Sequence, residues 1–435
     1  MTPPGPSRGN RALGILILSM VFAGEAWMNL LGWVGLLGLG VAASVIALIL
    51  LIRGRHRIVL RHLPISALAF VGLAVLSLLW SAYPDGTGYG LIRLGMISVL
   101  SLYLATTLSW RALLDALGAT LHLILWLSLA FELWVAVLVR SPVLPFWTSW
   151  GEDPPLLAMW SRNLLFSGGP IQGILGNSGM LAIAAAIAVI VFAIQIVDRG
   201  AKRAPIAGLA VAVLVTLLTR SGTMALALIT AAGVLALAVL VRRAAVPQRW
   251  MITLGGLLAG AGILLLGLSQ RATVLRLLGK SGDLTGRTEI WGTVLALAQQ
   301  RPVAGWGWIG YWIPWIEPLG GLVVRNGVGQ MHAHNTWLDL YLQLGIIGVI
   351  VFGFLVLGIV VHSWWLAVDR VALGPSEWAP YSALQLLPLL VTTVLLVLSF
   401  SDSRLLMEGA LPLLLVFAIK LRTRDYESEL AVRED

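Results

Sequence analysis

Five side chains in this 435-residue sequence have the types and spacing to do chemistry: His332 and His334, in Met331-His332-Ala333-His334-Asn335, and the arginines Arg162, Arg220 and Arg287. Histidines at i and i+2 could bind a metal with Glu317 or Asp339 completing the ligands, although no acidic cluster and no Asp-x-Asp accompanies them. A neutral imidazole beside cations suits a general base instead, because nearby positive charge lowers its pKa and keeps its lone pair available. A histidine hydrogen-bonded at a helix start is the purely structural alternative. Arginine binds phosphate in a two-pronged geometry, each charge-assisted bond contributing about 1.5–3 kcal/mol. Three such residues on one face of a membrane would form a site for a multiply charged anion.

The elements that must position these residues are membrane helices. Hydrophobic residues make up 59% of the chain and charged residues 11%, where a soluble domain carries about 25% charged residues. Mean hydropathy is +0.92. Such a composition excludes a soluble enzyme, a disordered chain and a β-barrel, whose strands would alternate. There are no cysteines, which removes disulfides, thiolate catalysis and cysteine metal sites. The net charge of +9 reads as loop topology rather than as a nucleic-acid surface.

Apolar runs fall at 12–28, 33–52, 64–80, 91–108, 112–139, 178–197, 205–219, 223–241, 251–268, 338–361, 380–400 and 407–420. At roughly 20 residues per span they predict an all-α integral membrane protein of about 12 transmembrane helices. The expected organisation is an N-terminal bundle of about nine helices over 1–268, with an outer loop at 140–177. A long extracytoplasmic catalytic loop over 269–337, C-terminal helices over 338–420 and a cytoplasmic tail over 421–435 follow. The first run reads as a retained helix, not a cleaved signal peptide, because no cleavage site precedes it. An even number of spans leaves both termini on one side. Arg53, Arg55, Arg57, Arg61, Arg199, Lys202, Arg203, Arg242 and Arg243 crowd the loops of that side, which the positive-inside rule makes cytoplasmic.

The arginines on the opposite side break that rule. Arg220 stands in Thr219-Arg220-Ser221-Gly222, the whole connection between two apolar runs; it either snorkels to lipid phosphate or faces an anionic ligand. Arg162 lies in the outer loop and Arg287 in the long one. In that loop Ile290, Val294 and Leu297 recur at i, i+4 and i+7, predicting an amphipathic helix over 288–300 at the membrane surface, ended by Arg301-Pro302. Trp306, Trp308, Trp312 and Trp315 crowd the same loop, as an aromatic belt or as a platform for sugar rings.

Taken in order, these motifs resemble the bacterial O-antigen ligase and polymerase superfamily. His334-Asn335, a nine-residue gap and Gly345-Ile346-Ile347-Gly348 carry the likeness. Gly286-Arg287-Thr288-Glu289-Ile290-Trp291, followed by Pro302 and Gly305-Trp306-Gly307, and the hairpin Thr219-Arg220-Ser221 support it. Leu79-Trp80-Ser81 and Gly173 to Asn177 are weaker features of the same kind, and the likeness runs over about 80–350.

The resemblance implies a GT-C-like membrane glycosyltransferase of the bacterial cytoplasmic membrane, acting on its extracytoplasmic face. Its partners would be a polyprenyl-diphosphate-linked glycan donor, a glycan, lipid or protein acceptor and the membrane lipids, with no cofactor, no metal and no nucleic acid. By the same resemblance Arg220 and Arg287 would bind the donor diphosphate, and His334 would deprotonate or orient the acceptor hydroxyl. The anomeric centre would invert. Arg162, His332 and Asn335 would be supporting residues. Ligation and polymerisation fit equally. The competing expectation is a flippase or exporter of lipid-linked oligosaccharide or polysaccharide, which should carry charges near the middle of several spans; Glu132 is the clear mid-span acid. A structural partner of a glycan-assembly complex would tolerate loss of His334, whereas the enzyme would not.

Overall fold

The computed structural model describes residues 8–54, 63–148, 154–270, 287–325, 328–371, 378–407 and 409–423. Its elements are the helices α1 (Arg8–Arg53), α2 (Ile65–Leu76), α3 (Pro84–Thr107), α4 (Trp110–Trp134), α5 (Ser178–Arg199) and α6 (Arg203–Leu218). They continue as α7 (Gly222–Arg243), α8 (Arg249–Ser269), α9 (Arg287–Ala298), α10 (Thr336–Val368), α11 (Leu387–Ser399) and α12 (Leu411–Thr423). A two-residue antiparallel ladder pairs Val324–Arg325 with Val328–Gly329. Gly286 of the arginine motif, Arg55, Arg57 and Arg61 lie outside the described residues, as does most of the expected tail.

The architecture is that of an all-α polytopic membrane protein. Among the described residues seven helices are long and apolar enough to cross a membrane: α1, α3, α4, α5, α7, α8 and α10. α2, α6 and α11 are shorter apolar helices. α1 is broken at Gly32 (φ 70°, ψ 179°), so it supplies both of the first two apolar runs. α10 is broken at Gly345 (φ 61°). Counted this way, each apolar run has its helix. Four helices begin at side-chain caps that satisfy otherwise unpaired N–H groups: Ser109 for α4, Asn177 for α5, Ser221 for α7 and Asn335 for α10.

Polar contacts sort to two ends of the bundle. At one end Arg111 pairs with Asp198 at 3.7 Å, Arg249 with Asp369 at 3.1 Å, and Arg199 with Asp115. Buried Lys420 donates there to the carbonyls of Leu108 (2.8 Å) and Ala105 (3.4 Å), where a cation meets the negative end of the α3 dipole. The other end holds the described connections 140–148, 154–177, 299–325, 328–335 and 400–407. The predicted amphipathic stretch is α9, but its apolar side faces protein rather than lipid. Ile290, Val294 and Ala298 are buried with Ile309, Trp312, Leu319, Ala333 and Leu342, which clamps the long loop to the first part of α10.

Candidate active site

The long loop is fastened to α10 at its break. Gly345 interrupts the helix and exposes backbone groups that the loop then satisfies. Trp306 N and Gly307 N donate to Leu342 O (3.0 Å) and Gln343 O (2.8 Å), while Ile346 N and Ile347 N donate to Pro302 O (2.9 Å) and Val303 O (3.3 Å). A Cβ at Gly345 would collide with the Val303 carbonyl, and one at Gly305 (φ 71°) with the Gln343 carbonyl. Both positions need glycine for its positive φ and its missing side chain. The His-Asn and Gly-x-x-Gly signature is therefore a histidine mounted beside a docking joint.

Three neighbours hold the residues just before α10. Asn335 Oδ1 caps the helix, accepting from Trp337 N (3.0 Å) and Leu338 N (3.2 Å). Its backbone N–H donates to Ser403 Oγ at 3.1 Å, and Thr336 Oγ1 donates to Asp402 O at 2.8 Å. Asp339 reaches back from the first turn of α10: Oδ2 accepts from Ala333 N (2.8 Å) and Oδ1 from Trp312 Nε1 (3.0 Å). Trp291 Nε1, on α9, donates to Ala333 O at 3.0 Å. Both backbone groups of the residue between the histidines are thus engaged. His334 itself sits in the left-handed region (φ 52°). That costs a non-glycine residue of order 1–3 kcal/mol and persists only where the surroundings over-determine it.

The two imidazoles pack edge-on with centroids 4.1 Å apart. His332 is 7% exposed, and its Nδ1 accepts the His334 backbone N–H at 3.1 Å. In the neutral ring the proton consequently sits on Nε2. Burial first, and the neighbouring His334 next, push the His332 pKa down to about 3; Asp402 opposes this, while Arg404 and Arg287 add to it. His334 Nε2 lies 3.0 Å from Gln330 Oε1. With that oxygen accepting, Nε2 carries the proton and Nδ1 the lone pair. Burial works to raise Asp402, but Arg404, His332, His334 and Arg287 outweigh it and hold the carboxylate below its ordinary range. Arg287 therefore lies near enough to act on both His332 and Asp402.

Sequence reasoning missed the other half of this cluster. Arg404 is 9% exposed, with Nη1 3.2 Å from Tyr311 OH and 3.7 Å from Glu25 Oε1, and Nε 3.6 Å from Asp402 Oδ1. The Arg93 guanidinium lies 4.5 Å from the centroid of the Tyr311 ring, which is itself 6.3 Å from that of His332. A signal was present: Glu25 and Arg93 are charges inside apolar runs, and such charges mark functional candidates by default. Ser401-Asp402-Ser403-Arg404 also joins two apolar runs, as Thr219-Arg220-Ser221-Gly222 does.

The other expected residues make different contacts. Arg220, also left-handed (φ 51°), places its guanidinium 3.3 Å from where a Cβ on Gly168 would stand. Arg162 Nε donates to Leu156 O at 2.9 Å, and its backbone N–H to Gln172 Oε1 at 2.9 Å. These contacts place Arg220 against the segment 154–177 that holds Arg162, whereas Arg287 lies within electrostatic range of His332 and Asp402. Glu132 is not a mid-span acid. It is buried near the end of α4 and clasps that segment, accepting from Gln172 N (2.9 Å), Gly173 N (2.7 Å) and Ser161 Oγ (3.1 Å).

Four of the five tryptophans of the long loop, Trp291, Trp306, Trp308 and Trp312, act as staples. Trp308 and Trp312 are buried, and the indole N–H groups of Trp80, Trp291, Trp306 and Trp308 donate to the carbonyls of Ala304, Ala333, Leu297 and Gly90. Trp315 is exposed. Both oxygens of Asp339 are engaged by N–H donors, which turns it away from a metal role with the histidines. Among the described residues no group of three or more His, Cys, Asp or Glu could hold a metal ion.

Residues 205–353 match the O-antigen ligase family model. Over that stretch the chain is similar to the O-antigen ligase family. The matched stretch contains Arg220, Arg287, His332, His334, Asn335 and the Gly345 joint; Glu25, Arg93, Arg162, Asp402 and Arg404 lie outside it. The chain is also similar to the exopolysaccharide production protein ExoQ of Rhizobium meliloti (strain 1021), 31% identical over 80 residues. That similarity covers 18% of this chain and 18% of the relative's length.

Proposed function

We propose that this chain, similar over 205–353 to the O-antigen ligase family, is a membrane glycosyltransferase, one that transfers or polymerises a glycan from a polyprenyl-diphosphate donor onto an acceptor hydroxyl. The observation that carries this reading is the histidine turn. Neutral, buried His332 fixes His334 in a left-handed conformation, in the field of Arg287. The acceptor oxygen attacks the anomeric carbon opposite the diphosphate. The bond from that carbon to the diphosphate oxygen breaks, and its electron pair leaves with the diphosphate, so the centre inverts. His334 Nδ1 takes or orients the hydroxyl proton, a contribution of about 10²–10⁴ in rate for a general base. Arg287 and Arg220 balance the negative charge growing on the leaving group, with Arg162 and Asn335 in support.

The bundle end opposite the histidines carries Arg111, Arg199, Arg242, Arg249 and Lys420. Such clusters mark cytoplasmic ends, which supports cytoplasmic termini and an extracytoplasmic site in a bacterial cytoplasmic membrane. The lipid tail would lie in the bilayer and the diphosphate against the arginines. Ligation and polymerisation share this chemistry and differ in the acceptor.

The test uses purified protein in lipid nanodiscs with a polyprenyl-diphosphate-linked glycan, candidate acceptors and EDTA, product being followed by mass spectrometry. The parent should transfer glycan with EDTA present, and folded His334→Ala and Arg287→Ala should each fall by about 100-fold or more. Undiminished transfer in both variants would refute the reading. In sealed proteoliposomes of the same protein, labelled donor crossing the bilayer with no acceptor modified would replace it with a flippase.

A further inference from the structure

Arg404 is a buried cation that the proposed chemistry does not use. Carboxylates of Glu25 and Asp402 stand 3.7 and 3.6 Å from it and the Tyr311 hydroxyl 3.2 Å. Two carboxylates at that range balance its charge locally, so it is poorly suited to receive a diphosphate, and a buried charge persists only while so paired. Its partners surround the histidines instead. The Arg404 backbone N–H donates to Asp402 Oδ1 at 3.2 Å and shapes the 400–404 turn. That turn grips the residues after His334 through Ser403 Oγ on Asn335 N and Asp402 O on Thr336 Oγ1. On the other side Arg404 anchors Tyr311, whose ring neighbours His332.

We infer that Arg404 is a positioning residue for the histidine pair, held by Glu25 of α1 and Asp402, and setting His332 and hence His334 without touching substrate. The inference rests on the transferase reading. It makes α1 and the turn before α12, both outside the matched stretch 205–353, necessary parts of the site. The connection runs from Glu25 to Arg404, then through Tyr311 to His332, whose Nδ1 holds the His334 backbone, and through Asp402 to Thr336 beside it. A displacement of about 1 Å at a reacting group can cost roughly 10²-fold in rate, so a residue that touches nothing reactive can still govern turnover.

The test compares Arg404→Gln, Arg404→Lys and Glu25→Gln with the parent in nanodiscs, reading kcat and KM for the donor and the ¹⁵N spectra of histidine-labelled protein. Arg404→Gln should lower kcat by about 10–100-fold with donor KM within about 3-fold, and Arg404→Lys should recover part of it. Glu25→Gln should move kcat the same way by less. The parent His332 should show Nε2–H with Nδ1 as acceptor, and Arg404→Gln should blur or shift that signature. A rise of about 10-fold or more in donor KM at unchanged kcat would make Arg404 a substrate contact and overturn the inference. Parental kinetics with parental spectra would overturn it as well. If Arg404→Gln does not fold, Arg404→Lys and Glu25→Gln carry the same two readouts. If the parent transfers no glycan, the transferase reading falls, and the histidine spectra alone decide whether Arg404 sets the pair.

Discussion

An unfolded histidine takes up a proton near pH 6.5, whereas burial keeps folded His332 neutral down to about pH 3. As pH falls between those values the unfolded chain gains a proton that the folded chain refuses, so stability is lost. For these two pKa values the loss between pH 7 and pH 5 is about 2 kcal/mol, approaching about 5 kcal/mol below both. Asp402 adds to the same trend at lower pH. Its carboxylate is held below its ordinary range, so its contribution is present above the unfolded pKa and disappears as pH falls through the folded one. The perturbation is His332→Asn, which keeps an acceptor for the His334 N–H and removes the titrating ring. The assay is equilibrium chemical denaturation in mixed micelles at pH 7 and pH 5, followed by tryptophan fluorescence. The parent should lose about 2 kcal/mol more than the variant over that interval. Equal losses, within about 0.5 kcal/mol, would refute the argument that His332 is buried and neutral.

Gly345→Ala should destabilise by about 2–4 kcal/mol and abolish transfer, because its methyl meets the Val303 carbonyl at a positive φ. Gly353→Ala, on the same helix with open space around it, should stay within about 1 kcal/mol of the parent; a denaturation pair measures both. Glu132→Ala leaves the N–H groups of Gln172 and Gly173 without their acceptor, at about 1–3 kcal/mol each. Hydrogen exchange should rise across 161–177 and stay unchanged at 331–338. Asn335→Ala should cost about 0.5–2 kcal/mol by uncapping α10, while Asn335→Asp, which keeps the acceptor, should retain most stability in the same assay.

Much of the candidate site was legible in the sequence, because imidazoles and guanidinium groups stand out against apolar surroundings. His332, His334 and Arg287 were found that way, and the structure brings them together. Glu25, Arg93 and Arg404 carried the same signal and were passed over, each being a single charge near the end of an apolar run. The tryptophans were open for a different reason: composition is the same for a belt, a sugar platform and a staple. Only the partner of each indole N–H separates them. The face of α9 was equally open, since one amphipathic period serves lipid or protein.

The sequence by itself determined the helices. In hydrocarbon every backbone N–H and C=O must be paired within the protein, and a helix satisfies them from local residues alone. It carried the caps as well, because the oxygens of Asn177, Ser221 and Asn335 meet N–H groups only two or three residues along the chain. The tertiary structure alone decided which elements meet: that Glu25 of α1 joins Arg404, that Tyr311 comes between Arg93 and His332, and that the 302–307 loop pairs with the break at Gly345. Helical periodicity says which side of an element is apolar but not what covers it. The partner depends on how helices far apart in the chain pack together, and that packing turns His334 from one histidine among six into one held in a left-handed turn against His332.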